Sequence, residues 1–147
     1  MIQRYFSFCT DLFEGTTPGP HFINPICFGE DLAVWLKERL QLRGLSPSEP
    51  IQEDWGWVVI VPFHGHKFTL CVGIMDESIG KIPSCWRVGV SFEKPLNGIR
   101  SWFRAAPSAD LAQLALVIEE NLRAEPRIQQ VAEEPELTNP PAAYPPD

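Results

Sequence analysis

No stretch of this 147-residue chain is apolar for long enough to cross a bilayer; the longest run is Trp57 to Phe63, against the roughly 20 residues a helical span needs. Basic clusters are missing too. Lys and Arg total 12 against 19 Asp and Glu, and the arginines form no run, so the chain offers nothing to a phosphate backbone. The nucleophile elbow GxSxG, the P-loop and the GxGxxG fingerprint are all absent, which removes the usual marks of a serine hydrolase or a nucleotide cradle. The four cysteines, Cys9, Cys27, Cys71 and Cys85, have no CxxC spacing and apolar neighbours. That pattern predicts reduced, core or half-buried thiols in a cytoplasmic protein, and no spacing supports a disulfide. The opening MIQRYFSFCTDLFEG lacks a basic region followed by an unbroken apolar one, so no secretion signal is read.

What is present is enough for one core. Hydrophobic residues make up 44% and charged residues 21%, ordinary values for a globular domain, and nine Phe with five Trp supply large side chains to bury. The net charge of −7 is uneven: residues 119–147 hold seven acids against Arg123 and Arg127, which leaves −2 for the first 118 residues. Five of the fifteen prolines fall after position 134. The chain therefore reads as one α+β domain over 1–134 and a Pro-rich, disordered or extended tail over 135–147.

Residues 2–8 alternate enough for a short strand, and 10–27 read as an ordered loop whose Phe13, Phe22, Ile23 and Ile26 pack down on the domain. Leu32, Trp35, Leu36, Arg39 and Leu40 recur at helical spacing, with Glu30 and Asp31 at the start and Gly44 at the stop. Three strands are predicted over 55–63, 67–75 and 85–93, the last ended by Pro95 and Gly98. A helical turn follows over 99–104. A second helix has Ser108 as N-cap and Leu111, Leu114, Ala115, Ile118 and Leu122 as its stripe, and residues 128–134 predict an edge strand. The fold class is α+β: an antiparallel sheet, built of a three-stranded meander plus one or two edge strands, with two main helices packed on one face.

The register of the hairpin around His64 decides where the tryptophans point. A two-residue loop, His64-Gly65, sets Trp57 opposite Val72 on the apolar face; a three-residue loop, His64-Gly65-His66, turns Trp55 and Trp57 to the other face. The shorter loop, with Gly second, is the favoured kind and agrees with the alternation of all three strands. It leaves a second face of apolar and small residues, on which Val58, Ile60, Cys71 and Arg87 are the candidate partner-binding residues.

His64 and His66 lack a third ligand within reach, so they predict turn histidines and no metal site. The alternative to a binding face is a pocket near Asp54, Trp55, His64 and His66, serving small-molecule binding or hydrolysis. The order helix, meander, helix, strand over about residues 28–134 of a small acidic chain resembles the scaffold of bacterial type III secretion chaperones. It is similar as well to several small immunity proteins that neutralise toxins. That resemblance covers architecture only and assigns no residues. It implies a non-enzymatic protein-binding module, chaperone-like or inhibitor-like. The expected partner is another protein or a second copy of the chain, held at the second sheet face or at the aromatic loop of residues 10–27, with no cofactor, nucleic acid or membrane.

Overall fold

The computed structural model describes residues 2–92 and 107–134. The predicted helical turn at 99–104, the strand end at Pro95 and Gly98 and the Pro-rich tail lie outside the described residues. The described residues form β1 (Ile2–Thr10), α1 (Glu30–Leu42), β2 (Ile51–Glu53), β3 (Gly56–Phe63), β4 (His66–Ile74), β5 (Ser84–Phe92), α2 (Ser108–Ala124) and β6 (Ile128–Glu134), with a 3-10 turn at Asp76–Ser78. The strands make one antiparallel sheet in the order β2-β3-β4-β5-β1-β6. The class is thus α+β.

The β3–β4 hairpin takes the two-residue loop. Phe63 faces His66, Val59 faces Leu70 and Trp57 faces Val72. His64 and Gly65 have φ of 50° and 81°, the two positive values that a type I′ turn demands and that Gly tolerates at no steric cost. Period-two alternation does the rest. Trp57, Val59 and Val61, then Phe68, Leu70 and Val72, then Trp86, Val88 and Val90, join Phe6 and Phe8 in one buried cluster with Leu32, Leu36 and Leu40 of α1 and Leu111, Leu114, Ile118 and Leu122 of α2. Each such side chain, fully buried, contributes roughly 1.5–3 kcal/mol.

Both helices follow their stripes, with two adjustments. Helix α1 ends in a Schellman motif: Gly44 N–H donates to Gln41 C=O at 2.9 Å and Leu45 N–H to Leu40 C=O at 3.1 Å, with Gly44 at φ 83°. Ser108 does not cap α2. Pro107 holds the N-cap position, its carbonyl accepting from Leu111 N–H at 2.9 Å, and no side chain caps the helix.

Two further expectations are corrected, and the expected edge strand gains a detail. Trp55 is not in a strand: Asp54 and Trp55 form the turn between β2 and β3, where Glu53 pairs with Gly56. Strand β2 has three residues, too few to display an alternation in the sequence. Cys9 and Cys85 are not thiols; β1 and β5 set them directly opposite each other, and they are joined as a disulfide. Finally, β6 does form the edge, but not as a plain strand. Its pairing with β1 slips by one residue between Ser7 and Cys9, and Gln130 takes a positive φ of 58° there. That is the bulge that commonly blunts an edge strand.

Candidate functional site

The long segment between β1 and α1 is built onto the sheet at the end where β2 and β3 meet. Phe13 is buried and stands edge-on to Trp35 and Trp86, at centroid distances of 6.0 and 5.9 Å. Phe22 is half-buried and lies 5.2 Å from the Trp57 ring. Ile23 and Ile26 do not pack: they are 82% and 59% exposed. Four polar residues hold them out in this way. Trp57 Nε1 donates to the Cys27 carbonyl at 2.7 Å, and the Cys27 thiol donates to the Asp54 carbonyl at 2.9 Å. Asn24 Nδ2 donates to the same carbonyl at 3.2 Å. Gln52 grips the loop from below, accepting from Ile23 N–H at 2.6 Å and donating to Asn24 C=O at 3.1 Å.

Trp57 therefore has two jobs at once. Its ring is 4% exposed and belongs to the core, while its indole N–H fixes the loop above. His21 stands beside it, 6.4 Å away edge-on, with Nε2 2.6 Å from Glu30 Oε2 at the start of α1. Cys27 is buried, and burial pushes its thiol pKa up, helped by the negative charges of Asp54 and Asp76. The raised pKa disfavours the thiolate, the reactive form, and the thiol here serves as a hydrogen-bond donor to the Asp54 carbonyl.

The four residues grouped as a pocket are not together. Asp54 and Trp55 turn at one end of β3; His64 lies in the turn at the other end and His66 follows it, roughly 25 Å away along eight residues of strand. His64 stacks on Phe63 at 3.9 Å and its Nδ1 lies 2.8 Å from Asp110 Oδ1 in the first turn of α2. His66 stands edge-on to Phe92 at 5.6 Å. Each histidine has its own neighbours, so no shared chemistry links them to Asp54. Among the described residues no group of three or more His, Cys, Asp or Glu is gathered closely enough to hold a metal ion.

The second sheet face is less open than its sequence implies. Val58 is buried at 8%, and Ile60 is half-buried with its N–H given to Ser48 Oγ at 2.9 Å. Arg87 reaches across β1 to Glu134, Nε to Oε2 at 2.8 Å. Gly89 leaves room for the ring of Tyr5, which occupies the place a Cβ would need. Cys71 is half-buried. These four candidates thus lie on one face, yet they do not form an exposed apolar patch. The exposed isoleucines of the loop do better on that count, and periodicity could not have found them, because they belong to no repeating element.

Comparison with protein families, curated proteins and solved structures gives no match for this chain.

Proposed function

We propose that this chain is a non-enzymatic protein-binding module, chaperone-like or inhibitor-like, that holds its partner at the braced loop between β1 and α1. One observation carries the reading. Ile23 and Ile26 stand in solvent on a backbone tied down by Asn24, Gln52, Trp57 and Asp54. Exposed isoleucines cost solubility, and a loop held rigid around them has already lost the entropy that binding would otherwise take. The meander and helix packing expected from the sequence supply the scaffold for this loop. The alternative, a small-molecule or hydrolytic pocket, loses support because its four residues divide between opposite ends of β3.

The natural partner should co-purify with the tagged wild-type chain from its native cell. A monodisperse chain that captures nothing above background, in extracts from every growth condition, would remove the reading. The cytoplasmic setting expected from cysteine spacing requires Cys9 and Cys85 to be reduced. Bonded to each other, they suit an oxidising compartment. Thiol counting on the chain trapped in its native cell, with acid quenching before lysis, decides between the two.

A further inference from the structure

Charge at the loop end of the sheet is not balanced, and the imbalance names the partner's chemistry. All six arginines among the described residues have a carboxylate partner, from Arg4 with Glu133 to Arg127 with Asp11. At the far side of β3 the reverse holds. Among the described residues, no cation pairs with the carboxylates of Glu53, Asp54 or Asp76, and all three residues are exposed. Asp54 lies in the turn whose carbonyl anchors Asn24 and Cys27, and Asp76 follows the end of β4 beside it. Lys81, four residues after Glu77, is the nearest cation in sequence and leaves the end negative.

Apolar residues sit among these acids. Ile23 and Ile26 project from the loop that Gln52 grips; Ile51 pairs with Val58 and so points to the opposite face of β2 from Gln52, outside this group. An apolar centre with an unpaired acidic rim is complementary to an apolar centre with a basic rim, and such rims set partner choice and encounter rate. Strand addition at the neighbouring edge is not the mode. Strand β2 has three residues and is preceded by Pro50, which has no N–H to give.

We infer that the Ile23 and Ile26 surface docks a protein segment carrying apolar side chains flanked by lysine or arginine. This deepens the protein-binding reading and rests on it. The isoleucines insert, and Glu53, Asp54 and Asp76 receive the flanking cations, which leaves the chain's own arginines undisturbed in their existing pairs.

The test is site-specific photo-crosslinking in the native cell. p-Benzoylphenylalanine is placed at Ile26 or, as a control, at Leu116, which is 52% exposed on α2. Each is made with and without the pair Glu53→Lys and Asp54→Lys. The loop is hydrogen-bonded to the carbonyl of Asp54 rather than to its carboxylate, so the charge reversal leaves the brace in place, and a thermal melt checks this. The expected result is one adduct from position 26 and none from 116, reduced about tenfold by the reversal, with the joined partner peptide basic and apolar. An adduct from 116 alone, an acidic partner peptide, or an adduct at 26 indifferent to the reversal each overturns this surface while leaving a protein-binding module. No adduct from either position, in cells where the tagged chain does capture a partner, also overturns it. No adduct and no captured partner removes both.

Discussion

The indole N–H of Trp57 donates to the carbonyl of Cys27, 30 residues earlier, at 2.7 Å and out of contact with water. A core residue and a surface loop are thereby one cooperative unit: the ring is placed by the register of β3 against β4, and the loop is placed by the ring. Losing either should disturb the other.

The first prediction separates the two roles. Trp57→Ala empties a buried aromatic site and should cost roughly 3–5 kcal/mol in urea unfolding. Trp57→Phe keeps most of the volume and orphans a buried carbonyl, a loss of about 1–3 kcal/mol. Ile60→Ser, at a half-buried position on the other face, should cost less than Trp57→Ala. Urea midpoints rank the three. If Ile60→Ser unfolds the domain while Trp57→Ala is nearly silent, the register is wrong.

The second prediction concerns Cys27. Burial, then the charges of Asp54 and Asp76, hold its thiol in the protonated form. Iodoacetamide at pH 8 should therefore alkylate Cys27 far more slowly in the folded protein than in urea, as peptide mass spectrometry reads directly. Equal rates in the two states would mean that the loop is open.

Much of this architecture was legible because long segments carry their own period. The stripes of α1 and α2 and the alternation of β4 and β5 each repeat several times, and the turn residue Gly65 fixed the hairpin register. What escaped was short or non-local. Strand β2 has only three residues. The place of β1 between β5 and β6, which brings Cys9 to Cys85, is decided by tertiary pairing across 76 residues and leaves no local mark. Ile23 and Ile26 look like packing residues in sequence, because hydrophobicity alone does not say whether a loop lays a side chain down or holds it up. The brace that holds them out depends on Gln52 and on a backbone carbonyl, and neither announces itself.

The third prediction follows from that disulfide. Closing a loop between residues 76 apart restricts the unfolded chain by up to about 4–5 kcal/mol on the loop-entropy account. A reductant, or the pair Cys9→Ser with Cys85→Ser, should lower the melting temperature while circular dichroism before the transition stays unchanged, since nine registered pairs still join β1 to β5. Non-reducing peptide mapping should recover residues 9 and 85 in one linked fragment. Recovery of two alkylated thiols would refute the bond.

The last prediction concerns the edge strand in acid. Successive residues of β6 point to opposite faces, and the chain uses this to hold its edge from both sides: Glu133 takes Arg4 on the core side at 2.6 Å, and Glu134 takes Arg87 on the other. The hydrogen bond from Arg4 lowers the Glu133 pKa, and the same bond raises that of Arg4. A carboxylate whose folded pKa is depressed adds stability that is fully present above its unfolded value, near pH 4.3, and lost as pH falls through the folded value. The contribution is small, because the two side chains are 33% and 39% exposed and solvent screens them. A double-mutant cycle of Arg4→Met and Glu133→Gln should give a coupling of about 0.2–1 kcal/mol at pH 7, shrinking toward zero well below the ordinary carboxylate range. In hydrogen exchange, the β6 amides should lose protection in acid before those of β4, which lies between two strands. If β6 keeps its protection to the same pH as β4, the ion pairs are not what holds the edge, and the packing of Ile128 and Val131 holds it instead.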